Sequence, residues 1–148
     1  MTNWFLMTCA FLTGALVPLQ LAFNAQLGGV TRNAFTASLI VFLIGAVAMA
    51  LVTLVLRPQL PTLNDLAAAP KTIWIGGLIA TVYILAIVIL TPKLGVGLTT
   101  SLILIGQLIT AIALDHFGAF GTPQHQINFW RIAGVSMMIA GVITIKAN

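Results

Sequence analysis

Carboxamide and hydroxyl side chains recur at helical spacing in the first apolar stretch of the sequence, which ends in PLQLAFNAQLG at residues 18–28. Thr13, Gln20 and Asn24 are separated by seven and then four residues, and this spacing places side chains on one face of an α-helix. Carboxamides both donate and accept hydrogen bonds. The pattern therefore predicts a polar stripe that either lines a cavity or joins neighbouring helices by hydrogen bonds.

A second polar stripe is predicted in TTSLILIGQLITAIALDHFG, residues 99–118. Thr100, Gln107 and Thr110 fall near one face of a helix over this stretch. Because a polar stripe is costly against lipid, we expect this one to face protein or water. The two stripes together predict a cavity that binds a small polar or cationic molecule.

Asp115 is the strongest candidate for proton coupling, because the only other acid, Asp65, falls in a predicted loop. A carboxylate within a membrane span is costly and commonly marks a proton or ion pathway. The alternative is a carboxylate that meets water at the headgroups. Tyr83 lies in the middle of a predicted span, where its hydroxyl needs a partner. We interpret it as a further cavity residue, with core packing as the alternative.

The sequence lacks the residue patterns that catalysis, metal binding or phosphate binding would require. The sequence has a single cysteine, Cys9, and shows no nucleophile–base pair, no metal-ligand cluster and no phosphate-binding loop. We therefore predict that the protein is not an enzyme and uses neither a cofactor nor a metal. The cations lie at predicted membrane borders and form no basic patch, so nucleic-acid binding is not expected.

The composition identifies the solvent of this protein as lipid. Of its 148 residues, 60% are hydrophobic and only 5% are charged, whereas soluble domains carry about 25% charged residues. A chain in lipid must satisfy its backbone internally, which restricts it to helices or a closed barrel. The apolar residues form long runs rather than alternating with polar ones, so the sequence predicts an all-α membrane protein.

Five apolar runs are long enough to cross a bilayer, which takes about 20 residues per helix. They nearly exhaust the chain, so residues 1–148 are predicted to form a single transmembrane domain. The stretch between the second and third runs is the longest loop and is expected to hold at most a short surface helix. The predicted spans are residues 4–28, 34–56, 72–90, 97–115 and 129–146.

The distribution of positive charge leaves the orientation of the chain open. Cytoplasmic loops are normally richer in Lys and Arg, yet with five spans each side of the membrane receives three of the six cations. Either other features set the orientation, or the chain inserts both ways and pairs as an antiparallel dimer. The N-terminal-side cations are Arg57, Lys71 and Arg131, and the opposite ones are Arg32, Lys93 and Lys146.

Three segments resemble the YdcZ-like family of small, roughly five-helix membrane proteins, which is grouped with the drug/metabolite transporter superfamily. They are PLQLAFNAQLG, FLIGAVAMAL and above all TTSLILIGQLITAIALDHFGAFGTP. In the last segment a small polar start, a central Gln107 and an Asp-X-Phe-Gly ending at Gly118 match the family pattern. The resemblance covers nearly the whole chain.

The resemblance implies a half-size transporter of the bacterial inner membrane that works as a dimer. The partner would be an antiparallel copy of the same chain or an oppositely oriented paralogue. The predicted function is the transport, and more specifically the export, of a small polar or cationic molecule, with proton coupling at Asp115. The alternatives are a small dual-topology ion channel and an accessory subunit of a larger membrane complex.

Overall fold

The computed structural model describes residues 2–147, and every regular element among them is helical. Five helices are long and apolar enough to cross a membrane. The predicted all-α architecture with five spans is thus confirmed. The helices are α1 (Thr2–Thr31), α2 (Ala34–Leu56), α3 (Leu63–Ala68), α4 (Ile75–Leu94), α5 (Val96–Phe117) and α6 (Phe129–Ala147), with short 3₁₀ turns at Lys71–Trp74 and Ala119–Gly121.

A tight turn connects α1 to α2. Arg32 adopts a left-handed backbone conformation with φ 53°. Asn33 then caps α2, because its Oδ1 accepts hydrogen bonds from the backbone N–H groups of Phe35 and Thr36 at 2.9 and 3.1 Å. These donors have no partner within their own helix, so Asn33 fixes the start of the second span.

The long loop holds the predicted short surface helix, α3. Its first turn is a capping box in which Thr62 Oγ1 accepts from Asp65 N at 3.2 Å, and Asp65 Oδ2 accepts from Thr62 N at 2.8 Å. Two hydrogen bonds from Thr62 lower the pKa of Asp65 below its usual value. The bond from the Thr62 hydroxyl has the larger effect, and the bond from its backbone N–H has the smaller one. Asp65 thus caps the start of a loop helix, which leaves Asp115 as the acid associated with a span.

The α4–α5 connection is shorter than the sequence indicates. A span ending near residue 90 was expected from the Pro92 and Gly95 breaks, but α4 runs through Pro92 to Leu94. A proline in the last turn removes few backbone hydrogen bonds, whereas Gly95 at φ 81° takes a conformation that suits glycine. Gly95 therefore separates the helices. Similarly, α1 runs through Pro18 without interruption.

The chain divides into two compact units, which are described separately. One comprises residues up to Pro18 and from Leu94 onward, and the other comprises Leu19–Lys93. The core of the second unit contains Leu21 from α1, Ala37 from α2 and Ile87 from α4, all fully buried. Most other large apolar side chains are exposed, as expected of helices whose outer surface is covered by lipid.

Candidate functional site

Two sets of hydroxyl groups in the spans differ in their hydrogen bonding. Outside the core, they commonly donate to the carbonyl four residues earlier in the same helix, a bond that satisfies the hydroxyl without any neighbour. This set includes Thr8, Thr13, Thr53, Thr81, Ser101, Ser136 and Thr144.

The second set is buried and has no hydrogen-bond partner in the described part of the protein. It consists of the hydroxyl oxygens of Ser38, Thr91, Thr99 and Thr100, to which Asn24 Nδ2 is added. A buried polar atom without a partner is destabilising, so each of these groups needs a hydrogen bond that the described residues do not supply.

Thr100 and Gln107 line one cavity between α1 and α5 within the first unit. Its volume is about 440 Å³, and most of its lining is apolar. Gly14 and Ala15 of α1 are among its lining residues, and their small size leaves space there. The remaining lining residues are Phe11, Val17, Ile103 and Leu104. A largely apolar pocket with a few polar groups is the usual form of a small-molecule site.

The other predicted cavity residues lie outside this lining. Asn24 is buried, with 6% of its surface exposed, in the second unit, where Gln20 is exposed and Tyr83 is half-buried. Thr13 and Thr110 are exposed in the first unit, and Thr13 Oγ1 donates to Cys9 O at 2.9 Å. A single cavity shared by Asn24 and Gln107 stays a prediction.

Asp115 forms an ion pair with Arg131, the third residue of α6. The distance from Arg131 Nη1 to Asp115 Oδ2 is 3.3 Å, and both side chains are partly exposed. Asp115 therefore lies at the end of its span and joins α5 to α6. This pair was not predicted from the sequence, although opposite charges at the facing ends of two consecutive spans are a visible signal for one.

The loop between α5 and α6 is tied to the end of α5 by several further bonds. The backbone N–H of His125 donates to Asp115 O at 2.8 Å, and the side chain of Gln124 donates to His116 O at 3.0 Å. His116 Nδ1 accepts the backbone N–H of Ile127 at 3.3 Å. The last carbonyls of a helix need such partners. These hydrogen bonds hold the loop against the end of α5, close to the Asp115–Arg131 ion pair.

Thr99 and Phe11 were not among the predicted site residues. Thr99 is the most buried hydroxyl of α5, at 1% exposure, and its position beside Thr100 in a small polar run was the available signal. Phe11 carries no sequence signal that separates it from the other apolar residues of α1. Its place in the cavity lining depends on which side of α1 faces α5.

These features define a multi-pass helical membrane protein with a small-molecule-sized cavity. The family model described as "Putative inner membrane exporter, YdcZ" matches residues 5–144. The chain belongs to this YdcZ family, and it is a multi-pass protein of the inner membrane in a family of membrane exporters. No curated protein and no solved structure matches the chain significantly.

Proposed function

We propose that this chain exports small amphipathic molecules as a dual-topology dimer and that the α1–α5 cavity is part of the substrate path. The observation that carries the proposal is the placement of Thr100 and Gln107 in one apolar cavity. The Thr100 hydroxyl has no hydrogen-bond partner among the described residues, so a substrate that reached it would supply one. The substrate would gain orientation from the two polar groups and affinity from the apolar walls.

The lining supports a substrate class as well. It contains no charged side chain, so a strongly hydrated polar ion would lose its water without compensation. The Phe11 ring offers a cation an aromatic face. We therefore propose neutral or delocalised-cation amphipaths as substrates.

The proposed dimer is supported by two observations. The cations are balanced between the two sides, three against three. In addition, Gln107 and Thr110 are exposed although they belong to a span. Polar side chains within spans normally face a bundle interior or a water-filled cavity, so a second copy would cover them. Two oppositely oriented copies would form the inverted pair that is common in transporters.

Transport by the purified chain in proteoliposomes tests the proposed cavity. We expect saturable uptake of a lipophilic cation such as tetraphenylphosphonium or of an uncharged amphipathic dye. Thr100→Val and Gln107→Ala should each weaken the apparent affinity roughly fivefold, since one hydrogen bond contributes about 1 kcal/mol. Ser101→Ala is the matched control, because its hydroxyl already bonds Gly97 O at 2.9 Å, and it should leave uptake unchanged.

The alternatives give different results in the same vesicles. A channel would pass ions without saturation and at rates far above those of a carrier. An accessory subunit would show no flux of any probe. Equal effects of Thr100→Val and Ser101→Ala would contradict the proposed role of the cavity.

The location of the C-terminus tests dual topology. One reporter that is active only in the cytoplasm and another that is active only outside would be fused after residue 148. We expect strong signals from both, because the cation balance favours neither orientation. A signal from only one reporter would contradict dual topology, and an oppositely oriented partner chain would then be required for an inverted pair.

A further inference from the structure

A second concave surface lies between α5 and α6, distinct from the lining of the α1–α5 cavity. It is a groove of about 260 Å³ whose walls include the aliphatic side chains of Ile109, Ala113 and Val135. Ser136 also lines it, but its hydroxyl donates to Ile132 O at 2.9 Å. The Ser136 hydroxyl proton is therefore already used within α6, and the walls of the groove are mainly apolar.

Arg131 is the charged residue of this groove. One guanidinium nitrogen, Nη1, donates to Asp115 Oδ2 at 3.3 Å, a long contact for a charge-assisted hydrogen bond. A guanidinium has five N–H donors, and in the described residues the others have no protein partner. Asp115 offsets part of the positive charge, but Arg131 keeps donors for a second anion.

The surroundings of Arg131 also favour an anion at a membrane surface. The first turn of α6 contains no acidic residue, and its backbone contributes positive partial charge. Phe129 and Trp130 precede Arg131 and are largely exposed, and aromatic side chains of this kind anchor at the headgroups. We therefore expect the guanidinium to lie at headgroup depth, with the aliphatic groove beside it between α5 and α6.

We propose that this groove binds an anionic glycerophospholipid, with part of one acyl chain between α5 and α6 and the phosphate at Arg131. The aliphatic walls match an acyl chain, and the guanidinium matches a phosphate, which it can bind through two N–H groups. Basic pockets between spans recognise anionic headgroups in this way. The site differs from the substrate cavity in its residues and does not depend on the proposed transport activity.

Native mass spectrometry of the purified full chain tests the site. The probes are phosphatidylglycerol and phosphatidylethanolamine with the same acyl chains, and inorganic phosphate alone. We expect tighter binding of phosphatidylglycerol by about fivefold, the factor for one basic residue at an anionic lipid surface. Arg131→Gln should abolish this preference, whereas Arg131→Lys should retain most of it because the charge remains.

Ala113→Phe tests the groove without altering any charge. It should reduce the binding of both lipids, because the new ring occupies the space of the acyl chain. Ala111→Phe is the matched control on the same helix, since Ala111 does not line the groove, and it should bind lipid normally.

Three results would overturn the proposal. The first is equal affinity for the two lipids in the unaltered protein. The second is binding of inorganic phosphate that matches binding of the lipid, which would make the site an anion site only. The third is a dimer that excludes lipid and that Ala113→Phe dissociates, which would identify a second copy as the occupant.

Discussion

Replacement of Asp115 by Asn is expected to abolish the response to a pH gradient that we propose for transport, while the protein remains inserted in the membrane. Asp65 is committed to a loop cap, so Asp115 is the carboxylate associated with a span. Asp115 also forms an ion pair with Arg131, so loss of the pair has to be tested apart from loss of the carboxylate. Asn cannot exchange a proton, and the variant should therefore lose the coupling.

Controls separate proton coupling from simple loss of the ion pair. Arg131→Gln breaks the pair but keeps the carboxylate, so transport should still respond to the pH gradient. The double exchange Asp115→Arg with Arg131→Asp keeps opposite charges at the two positions and should also remain inserted in the membrane. Asp65→Asn removes the other acid and should leave coupling unchanged. Full pH-driven transport by Asp115→Asn would refute the assignment.

Replacement of Gly28 by Ala is expected to destabilise the protein by about 1–3 kcal/mol, the usual range for overpacking. A Cβ at Gly28 would lie 2.7 Å from Val88 Cγ1. Val88 is buried, with 3% exposure, and its β-branched side chain has few alternative rotamers. Either α1 and α4 must separate or Val88 must take a strained conformation. Thermal unfolding in detergent, followed by circular dichroism, measures the loss.

Gly29 provides a matched control for this prediction. A Cβ at Gly29 meets no atom within 4 Å, so Gly29→Ala gains the helical preference of Ala over Gly without a clash. The difference between the two variants isolates the contact with Val88. Adding Val88→Ala to Gly28→Ala should recover part of the stability. Equal stability of Gly28→Ala and Gly29→Ala would show that the helices adjust freely.

The sequence predicts the five spans well because lipid imposes a simple rule on composition. Every span must be long, apolar and internally hydrogen-bonded, and each of these properties is local. Two further features depend only on neighbouring residues. Asn33 caps the start of α2, and Thr62 and Asp65 form the capping box of the short helix before Lys71. The end of α4 was less predictable, because whether Pro92 ends a helix depends on how many turns follow it.

The site was only partly predictable because the sequence does not show which face of a span meets another helix. Thr13 and Thr100 look alike in sequence, yet the Thr13 hydroxyl bonds its own helix, whereas the buried Thr100 hydroxyl lies in a cavity wall with no partner among residues 2–147. Likewise, the pairing of Asp115 with Arg131 depends on how the loop between them folds back.

The sequence by itself determined that this is a five-span helical protein of the membrane, since length, apolarity and helical spacing are properties of each segment alone. Only the tertiary structure decided that Gly28 abuts Val88, that Thr100 and Gln107 share a cavity wall, and that Arg131 stands between a carboxylate and an apolar groove. Each of these facts depends on the rotation of one helix against another. Lipid leaves that rotation undetermined, because it solvates every apolar face equally well.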